Sequence, residues 1–440
     1  MSVSDLIGAL DAIPKLSAAA APAASSSNSV FMDAPDWLTE TYMQDALRDF
    51  YGDQRIKITC LQVHPALGKG ENYGGVLTRV KAQFTRRDGT CQIGHYIVKS
   101  TFESDEFARN AMEPYDIFNR EMNIYEEVLP KLKALLHEIG DGEEIFAETM
   151  TVDYDRSVLI FEDLSAREFV MPDRLTGLDL KLARLVLRKL AKMHATSAVL
   201  NEREDRALES YDRGMFNRHT DNYAPCFLGM LQAASRRVAQ WPGYELYAEK
   251  LEALLPVYME LGKRVFDVCP GQINVLAHGD LWTNNVLVKY DKETGEAENV
   301  IIIDFQYAAW GSPAIDLFYF LNSSLEFDLH LNNQEELIHY YFNIFSDTLR
   351  KLSFKAAIPN MHQFHQQIQQ KAFYGMHTTI SIFPIQRNVE TADADFNALM
   401  QNNQRAINFK NACYGNPASQ RIMRQLLPKF EQEGLLDADQ

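Results

Sequence analysis

Asp280 and Asn285 stand five residues apart in the run His278-Gly279-Asp280-Leu281-Trp282-Thr283-Asn284-Asn285, and Asp304 ends the run Ile301-Ile302-Ile303-Asp304. These three side chains suit the transfer of a phosphoryl group to a hydroxyl. The Asp280 carboxylate can take the proton of an attacking hydroxyl. The Asn285 carbonyl, one loop further on, can hold a magnesium ion against nucleotide phosphates. Magnesium takes only one or two ligands from protein beside phosphate and water, and Asn285 with Asp304 meets that need. Asn285 opens the apolar run Val286-Leu287-Val288, a polar turn carries Lys292-Glu293-Thr294-Gly295, and Val300-Ile301-Ile302-Ile303 returns. Two β-branched runs around a Gly-containing turn predict a hairpin, which brings Asn285 and Asp304 together at its open end. Singly, these residues have plainer readings: an Asp after Gly is commonly a turn residue, and an Asp ending a strand a cap or surface charge. The order, the spacing and the intervening hairpin together favour the chemical reading.

Elements upstream must position the nucleotide. Ile56 to Val63 alternates as a strand, and Val76-Leu77-Thr78-Arg79-Val80 reads as a second, with Gly68-Lys69-Gly70-Glu71-Asn72-Tyr73-Gly74-Gly75 between them. Glycines there let backbone N–H groups approach phosphates, which makes Gly70, Asn72, Tyr73 and Gly74 candidate nucleotide contacts. Such a hairpin alone is most often just a turn; its place ahead of Lys99 and Asp280 gives it weight. Gly94 to Lys99 predicts a third strand. A Lys at its end can pair with the α/β-phosphates if a Glu from the next helix fixes it, although a strand-end Lys is more often a solvated edge charge. A helix is predicted over 106–136, broken near Pro114, with Phe118, Met122 and Tyr125 on its packed face. That face makes Glu121 the candidate partner of Lys99, and leaves Glu126 and Glu127 exposed. Ile145 to Thr149 and Ser157 to Phe161 flank an acidic turn and predict a second hairpin. Glu162-Asp163-Leu164 then leaves the sheet as a connector, whose backbone at Glu162 and Leu164 can face adenine.

Composition narrows the partners. The chain has 440 residues, 46% of them hydrophobic, and a net charge of −17, enough for a large core in two or three domains. No basic cluster supports nucleic-acid binding. The five cysteines are scattered without a C-x-x-C pair, which suits free thiols in a reducing compartment. No apolar run reaches membrane-spanning length, and the start of the chain lacks the basic-then-apolar order of a signal peptide. The expectation is a soluble, cytoplasmic protein with no membrane partner. Residues 1–33, with the Ala/Ser-rich run from Ser17 to Ser27, read as a low-complexity leader.

Further along, Leu182, Leu185, Val186, Leu190 and Met193 predict a helix over 178–200. His194 on it reads as a hydrogen-bonded structural residue. Residues 201–270 show no motif. Ser312 and Pro313 look like a helix start, with Asp316 in the first turn, where a carboxylate is favourable on its own account. His362 and His365 lack a third ligand, and metal there is set aside. The run from Met376 to Phe383 can line an apolar pocket, although core is the commoner fate of such a run.

With Ile303-Asp304-Phe305-Gln306, Pro313-Ala314-Ile315-Asp316-Leu317, Gly70-Glu71-Asn72-Tyr73, Glu121 with Tyr125 and Pro130, and Leu159 to Leu164 added to the catalytic run, the chain resembles the ecdysteroid kinase-like family of insects. That family, also called CHK-kinase-like or juvenile-hormone-inducible, lies within the aminoglycoside phosphotransferase and choline kinase group, and the likeness covers roughly residues 35–430. It implies an α+β, two-lobed protein-kinase-like fold. A small N-terminal lobe would hold an antiparallel sheet and one main helix, and a large C-terminal lobe would be mostly helical. The corresponding divisions are 34–164 for nucleotide binding and 165–440 for catalysis and substrate. It further implies ATP and Mg²⁺ as cofactors, Asp280 as base, Asn285 and Asp304 as metal ligands, Lys99 held by Glu121 on the phosphates, and Asp316 as a brace of the catalytic loop. Family members are implicated in phosphorylating hydroxyls of ecdysteroids and in detoxifying foreign small molecules.

The departures from protein kinases have physical meaning. Gly279 replaces the Arg that would read an activation-loop phosphate, Trp282 stands where a Lys often approaches the γ-phosphate, and Gln306 replaces the Gly of D-F-G. Only eleven residues separate Asp304 from Asp316, too few for a peptide-docking platform. A hydroxylated small molecule is the expected acceptor, and a protein substrate is not. Two other readings remain open from sequence: a choline- or aminoglycoside-type kinase with a cationic acceptor, and a pseudokinase that binds without transfer.

Overall fold

The computed structural model describes residues 35–66, 76–101, 106–389 and 396–439; the expected leader, 1–33, lies outside them. Helix α1 (Glu40–Tyr51) starts where the Thr39 hydroxyl accepts from the Tyr42 N–H, and stops at Gly52 with φ of 60°. Strands β1 (Lys57–Pro65), β2 (Val76–Thr85), β3 (Cys91–Ser100), β4 (Thr149–Asp153) and β5 (Val158–Glu162) form one antiparallel sheet in the order β1-β2-β3-β5-β4. The two-residue period of a strand gives this sheet two faces. Val80, Ala82, Val98 and Ile160 pack with Met43 and Leu47 of α1. Leu77, Arg79, Ile97, Lys99 and Phe161 point the other way, into a cleft.

The helix expected over 106–136 is interrupted twice. Helix α2 (Glu106–Met112) gives way at Pro114 to a single 3-10 turn, as the sequence predicts. After α3 (Ile117–Asn123) the chain slips into a π-helical turn, Ile124–Val128, before α4 (Leu129–Glu138). Pro130 has no N–H to return to the preceding turn, and the Leu129 N–H reaches back five residues to the Ile124 carbonyl.

The second hairpin starts later than expected. β4 begins at Thr149, whereas the Ile145 carbonyl accepts from the Ile302 N–H at 2.9 Å and Phe146 bridges to Ile302. The apolar run 145–147 thus belongs to the contact with the other lobe, where Phe146 lies edge-on to Phe305.

The remainder is mostly helical. β6 (Phe169–Val170) precedes α5 (Leu180–Arg203), which Asp179 caps at the Leu182 N–H and which is buried along most of its last four turns. Helices α6 (Ala224–Val238), α7 (Glu245–Ala253) and α8 (Tyr258–Phe266) fill the stretch that showed no motif. β7 (Val275–Ala277), β8 (Val286–Tyr290), β9 (Ala297–Ile302) and β10 (Ala309–Gly311) carry the site, with β6-β8-β9 in one small sheet and β7-β10 in another. The predicted hairpin is β8–β9, with Val286 opposite Ile302. Helix α9 (Ala314–Ser323) begins one residue after the expected start, and the Ser312 hydroxyl accepts from the Ala314 N–H. Helices α10 (Phe327–Asn332), α11 (Gln334–Lys351) and α12 (Met361–Gln369) lead to α13 (Phe373–His377), a π-helical turn (Thr378–Ile382) and α14 (Phe383–Gln386). Helices α15 (Phe396–Met400), α16 (Gln404–Cys413) and α17 (Pro417–Gln432) complete the lobe.

This is the two-lobed α+β architecture expected. Residues 34–440 nevertheless form one compact unit, because Met122, Tyr125 and Leu132 of the sheet lobe's helices enter the same core as the C-terminal helices. All five cysteines are free. Among the described residues, no helix is long and apolar enough to cross a membrane.

His377 sits fully buried in that core, taking the Tyr258 hydroxyl at 3.0 Å on Nδ1. Burial holds its pKa down to about 3. The folded value lies below the unfolded one, so stability falls as pH drops through the unfolded value and goes on falling until the folded one. Between pH 7 and pH 5 the unfolded imidazole, with its ordinary pKa of about 6.5, takes a proton that the folded one refuses, a difference of about 2 kcal/mol. Urea unfolding at both pH values should show His377→Asn losing about 2 kcal/mol less than the native chain across that interval. Equal losses would mean that His377 is not held neutral.

Candidate active site

The loop between β7 and β8 is held by one carboxylate. Asp316, in the first turn of α9, accepts from the His278 N–H at 2.6 Å and the Gly279 N–H at 2.8 Å, and from His194 Nε2 at 2.9 Å. His194 is oriented in turn by the Tyr341 hydroxyl, 2.7 Å from Nδ1. Burial by itself would raise the Asp316 pKa; the His194 contact and the backbone N–H groups outweigh it and hold the carboxyl below its ordinary value. His278 is also tied down: Nδ1 accepts from the Asp280 N–H at 3.3 Å and Nε2 donates to the Ile303 carbonyl at 2.9 Å. Gly279 has φ of 80°, and a Cβ there would lie 2.1 Å from the Tyr307 carbonyl oxygen. Glycine is required both for the left-handed conformation and for the close approach.

Asp280 is buried at the centre. Its Oδ1 accepts from the Tyr319 hydroxyl at 2.5 Å, and its Oδ2 from Asn285 Nδ2 at 3.1 Å. Burial pushes its pKa up to about 8, the Tyr319 hydrogen bond pulls the other way, and the Asp304 charge adds to the rise. Asn285 Nδ2 also donates to the Asp280 carbonyl at 2.8 Å. With its nitrogen committed, Asn285 has only its amide oxygen left that could serve a cation.

Lys99 lies between two carboxylates, 2.8 Å from Glu121 Oε1 and 2.8 Å from Asp304 Oδ1. Burial opposes its charge, but Asp304 and Glu121 outweigh that and hold its pKa above the ordinary value. Asp304 has φ of 69°, uncommon for a residue with a side chain, and its N–H donates to the Tyr125 hydroxyl at 3.1 Å. The π-helical turn is what brings Tyr125 to that position. Arg120 clamps the following segment, donating to the carbonyls of Ala308 at 2.5 Å and Arg213 at 2.8 Å.

Two cavities meet here. One, of about 420 Å³, lies under β2 and β3 and is lined by Lys99, Glu121, Leu164, Asn285 and Asp304. The other, of about 140 Å³, is walled mainly by Tyr223, Phe227, Tyr319, Ile382 and Phe396. Asp280, Trp282, Asn284 and Gln306 line both.

The structure thus brings Asp280, Asn285, Asp304, Lys99 and Glu121 together. Glu162 and Leu164 line the larger cavity, but the Glu162 carboxylate is spent on Arg167 at 3.1 Å and the Glu148 N–H at 3.1 Å, and its backbone N–H donates to the Glu148 carbonyl at 3.1 Å. Gly70, Asn72, Tyr73 and Gly74 lie outside the described residues. Among the described residues no three His, Cys, Asp or Glu side chains cluster as a metal site; Asn285 and Asp304 supply oxygen alone, which suits a hard cation that completes its shell with phosphate and water.

Sequence reasoning missed the wall of the smaller cavity. Tyr223, which caps α6, and Cys226 and Phe227 on it follow a helical period that is indistinguishable from core packing. Tyr319 was within reach, since it falls one turn after Asp316 on the same helix. The run 376–383 divides: Ile382 lines the cavity and most of its neighbours are core.

Residues 69–354 match the model of the ecdysteroid kinase-like family, and the chain belongs to that family. No curated protein matches it in sequence. Among solved structures it is similar to an ethanolamine kinase of Plasmodium vivax, with 14% identity over 89% of this chain and 90% of that one, and a TM-score of 0.43.

The close approach at Gly279 yields a test. Gly279→Ala should lower stability by about 1–2 kcal/mol from the left-handed conformation alone, and more if the Tyr307 carbonyl is displaced. It should also reduce the activity that depends on the loop. Chemical denaturation reads the first effect; an alanine tolerated without loss would mean that the loop does not need this contact.

Proposed function

We propose that the chain transfers the γ-phosphoryl group of ATP to a hydroxyl of a neutral, hydroxylated small molecule such as an ecdysteroid. The observation that carries this reading is that Asp280 lines two cavities at once. One is large enough for a nucleotide and has a buried Lys and two oxygen ligands, and the other is smaller and largely apolar. The reacting end of an acceptor in the second, whose volume of about 140 Å³ holds only part of a steroid, meets a phosphate in the first at the carboxylate between them.

The residues then act as follows. Lys99, fixed by Glu121, pairs with the phosphates of the nucleotide. The Asn285 carbonyl and the Asp304 carboxylate would hold magnesium, which offsets phosphate charge when bound. Asp280 accepts the proton of the acceptor hydroxyl as it attacks. Trp282, in the wall of both cavities, excludes water from the transfer path.

The acceptor wall argues against a cation. Among the described residues its lining has one carboxylate, Asp280, against the guanidinium of Arg174. A choline- or aminoglycoside-type acceptor would want further carboxylates beside the aromatic faces. Instead, the polar lining beside Asp280 and Arg174 includes the uncharged amides of Asn284, Gln306, Gln386 and Asn388. A few neutral polar groups in a largely apolar wall suit a neutral, hydroxylated ligand. Residues 305–315 are all buried, so they offer no loop for a peptide to dock on or for a regulatory phosphate. That supports a small acceptor over a protein substrate.

Mass spectrometry of products tests the reading. The purified chain would be incubated with Mg·ATP and a mixture of ecdysteroids, choline-like amines and hydroxylated plant metabolites. A neutral hydroxylated compound should gain one phosphoryl group, and Asp280→Asn should slow this by about 10²–10⁴-fold while leaving nucleotide binding. Asp304→Asn should instead diminish the thermal stabilisation that Mg·ATP produces. Transfer to choline alone would replace the acceptor assignment. Stabilisation without transfer to any compound would favour a pseudokinase, and no stabilisation by Mg·ATP would remove the kinase reading altogether.

A further inference from the structure

A base on a loop must be aimed. The Asp280 carboxylate can rotate about two side-chain bonds, and a proton acceptor displaced by about 1 Å can cost about 10²-fold in rate. Two donors restrain it, Asn285 Nδ2 on one oxygen and the Tyr319 hydroxyl on the other. They are not equivalent. Asn285 lies on the same loop as Asp280 and is asked to turn its carbonyl to a cation. Tyr319 lies on α9, is 2% exposed, and stacks on Tyr374. Its position is therefore set by the core and does not depend on the loop or the metal.

We propose that Tyr319 is the positioning residue of the Asp280 base, a role that rests on Asp280 being the base. Its hydroxyl, held from behind by Gln386, locks one carboxylate oxygen so that the remaining lone pairs face the smaller cavity. The geometry of the hydroxyl supports this. Gln386 Nε2 donates to the Tyr319 oxygen at 3.3 Å, so the phenol hydrogen is left to point at Asp280, 2.5 Å away. Burial and the Asp280 charge hold the Tyr319 pKa well above its ordinary value, and the phenol stays a donor. Helix α9 thus holds the loop twice from one face, by its backbone through Asp316 and by its functional side chain through Tyr319, three residues on.

The transfer step balances without a proton from Tyr319. The acceptor oxygen forms a bond to the γ-phosphorus as the bond from that phosphorus to the bridging oxygen breaks, its electron pair leaving on ADP. The acceptor proton passes to a free lone pair of the Asp280 carboxylate. Tyr319 keeps its hydrogen bond throughout and touches no reacting atom.

The test is a double-mutant cycle on the full chain. ADP release from Mg·ATP is measured with ecdysone as acceptor and, separately, with water in its place. Tyr319→Phe should lower kcat by about 10- to 100-fold, with KM for Mg·ATP and the thermal midpoint in Mg·ATP little changed. In an Asp280→Asn background the same substitution should cost almost nothing further, because its effect passes through the carboxylate. Gln386→Met, which removes the donor behind Tyr319 and fills its volume, should give a smaller fall in kcat of the same kind. An unchanged kcat in Tyr319→Phe, or an equal loss with and without Asp280, would overturn the assignment while leaving the kinase reading intact. A native chain that releases no ADP with ecdysone, with water or with any other compound of the mixture described above would instead remove the phosphotransferase reading, and this proposal with it.

Discussion

Everything in the site hangs from a buried carboxylate that touches no ligand. Asp316 is fully buried, as are His194 and His278, and its two oxygens gather two backbone N–H groups and an imidazole. A carboxylate placed there without those donors would be driven to its neutral form, and breaking such a buried arrangement costs about 3–5 kcal/mol. Because the donors belong to the loop and the acceptor to a helix deep in the core, the loop inherits the rigidity of the core. The left-handed turn at Gly279 and the Tyr307 carbonyl pressed against it are the conformational side of the same constraint.

A second set of charges links the lobes. Lys99 comes from the sheet, Glu121 from α3 and Asp304 from the end of the β8–β9 hairpin, so one ammonium joins three elements. Arg120, next to Glu121, ties the same helix to the segment after Asp304 through the Ala308 carbonyl. The π-helical turn then sets Tyr125 on the Asp304 N–H. The helix that holds Lys99 is thereby fastened to the segment that carries Asp304 by side-chain, main-chain and ring contacts. In protein kinases a longer activation segment intervenes at this place; here the eleven residues from Phe305 to Ile315 run through the core, and the linkage has no exposed loop through which a covalent charge could act.

The two cavities differ in chemistry. The one under the sheet presents fixed charge and a committed amide. The other presents rings, aliphatic groups and a few uncharged amides. The four side chains shared by both, Asp280, Trp282, Asn284 and Gln306, include a single carboxylate.

Much of this was legible in the chain. The spacing of Asp280, Asn285 and Asp304 reflects local geometry, a loop and one hairpin, and local geometry is encoded by neighbours in sequence. The strand ending at Lys99, the break at Pro114 and the helix start at Ser312 follow for the same reason. Where the reading failed, distant contacts had intervened. Ile145 to Ala147 is apolar like a strand of the small sheet, yet it pairs with Ile302 across the lobes. For Asp316 the bracing role came only from the family resemblance, because a helix-start carboxylate by itself does not record whether it faces water or two buried N–H groups. The smaller cavity is the clearest case: its walls draw on α6, α9, α14 and α15, and each contributes residues that alone look like ordinary core. Sequence by itself determined the grouping of Asp280, Asn285 and Asp304, because they lie within one short stretch joined by a loop and one hairpin. Only the tertiary structure decided what surrounds them, because a pocket is assembled from side chains hundreds of residues apart, and its shape is a property of packing that no local pattern records.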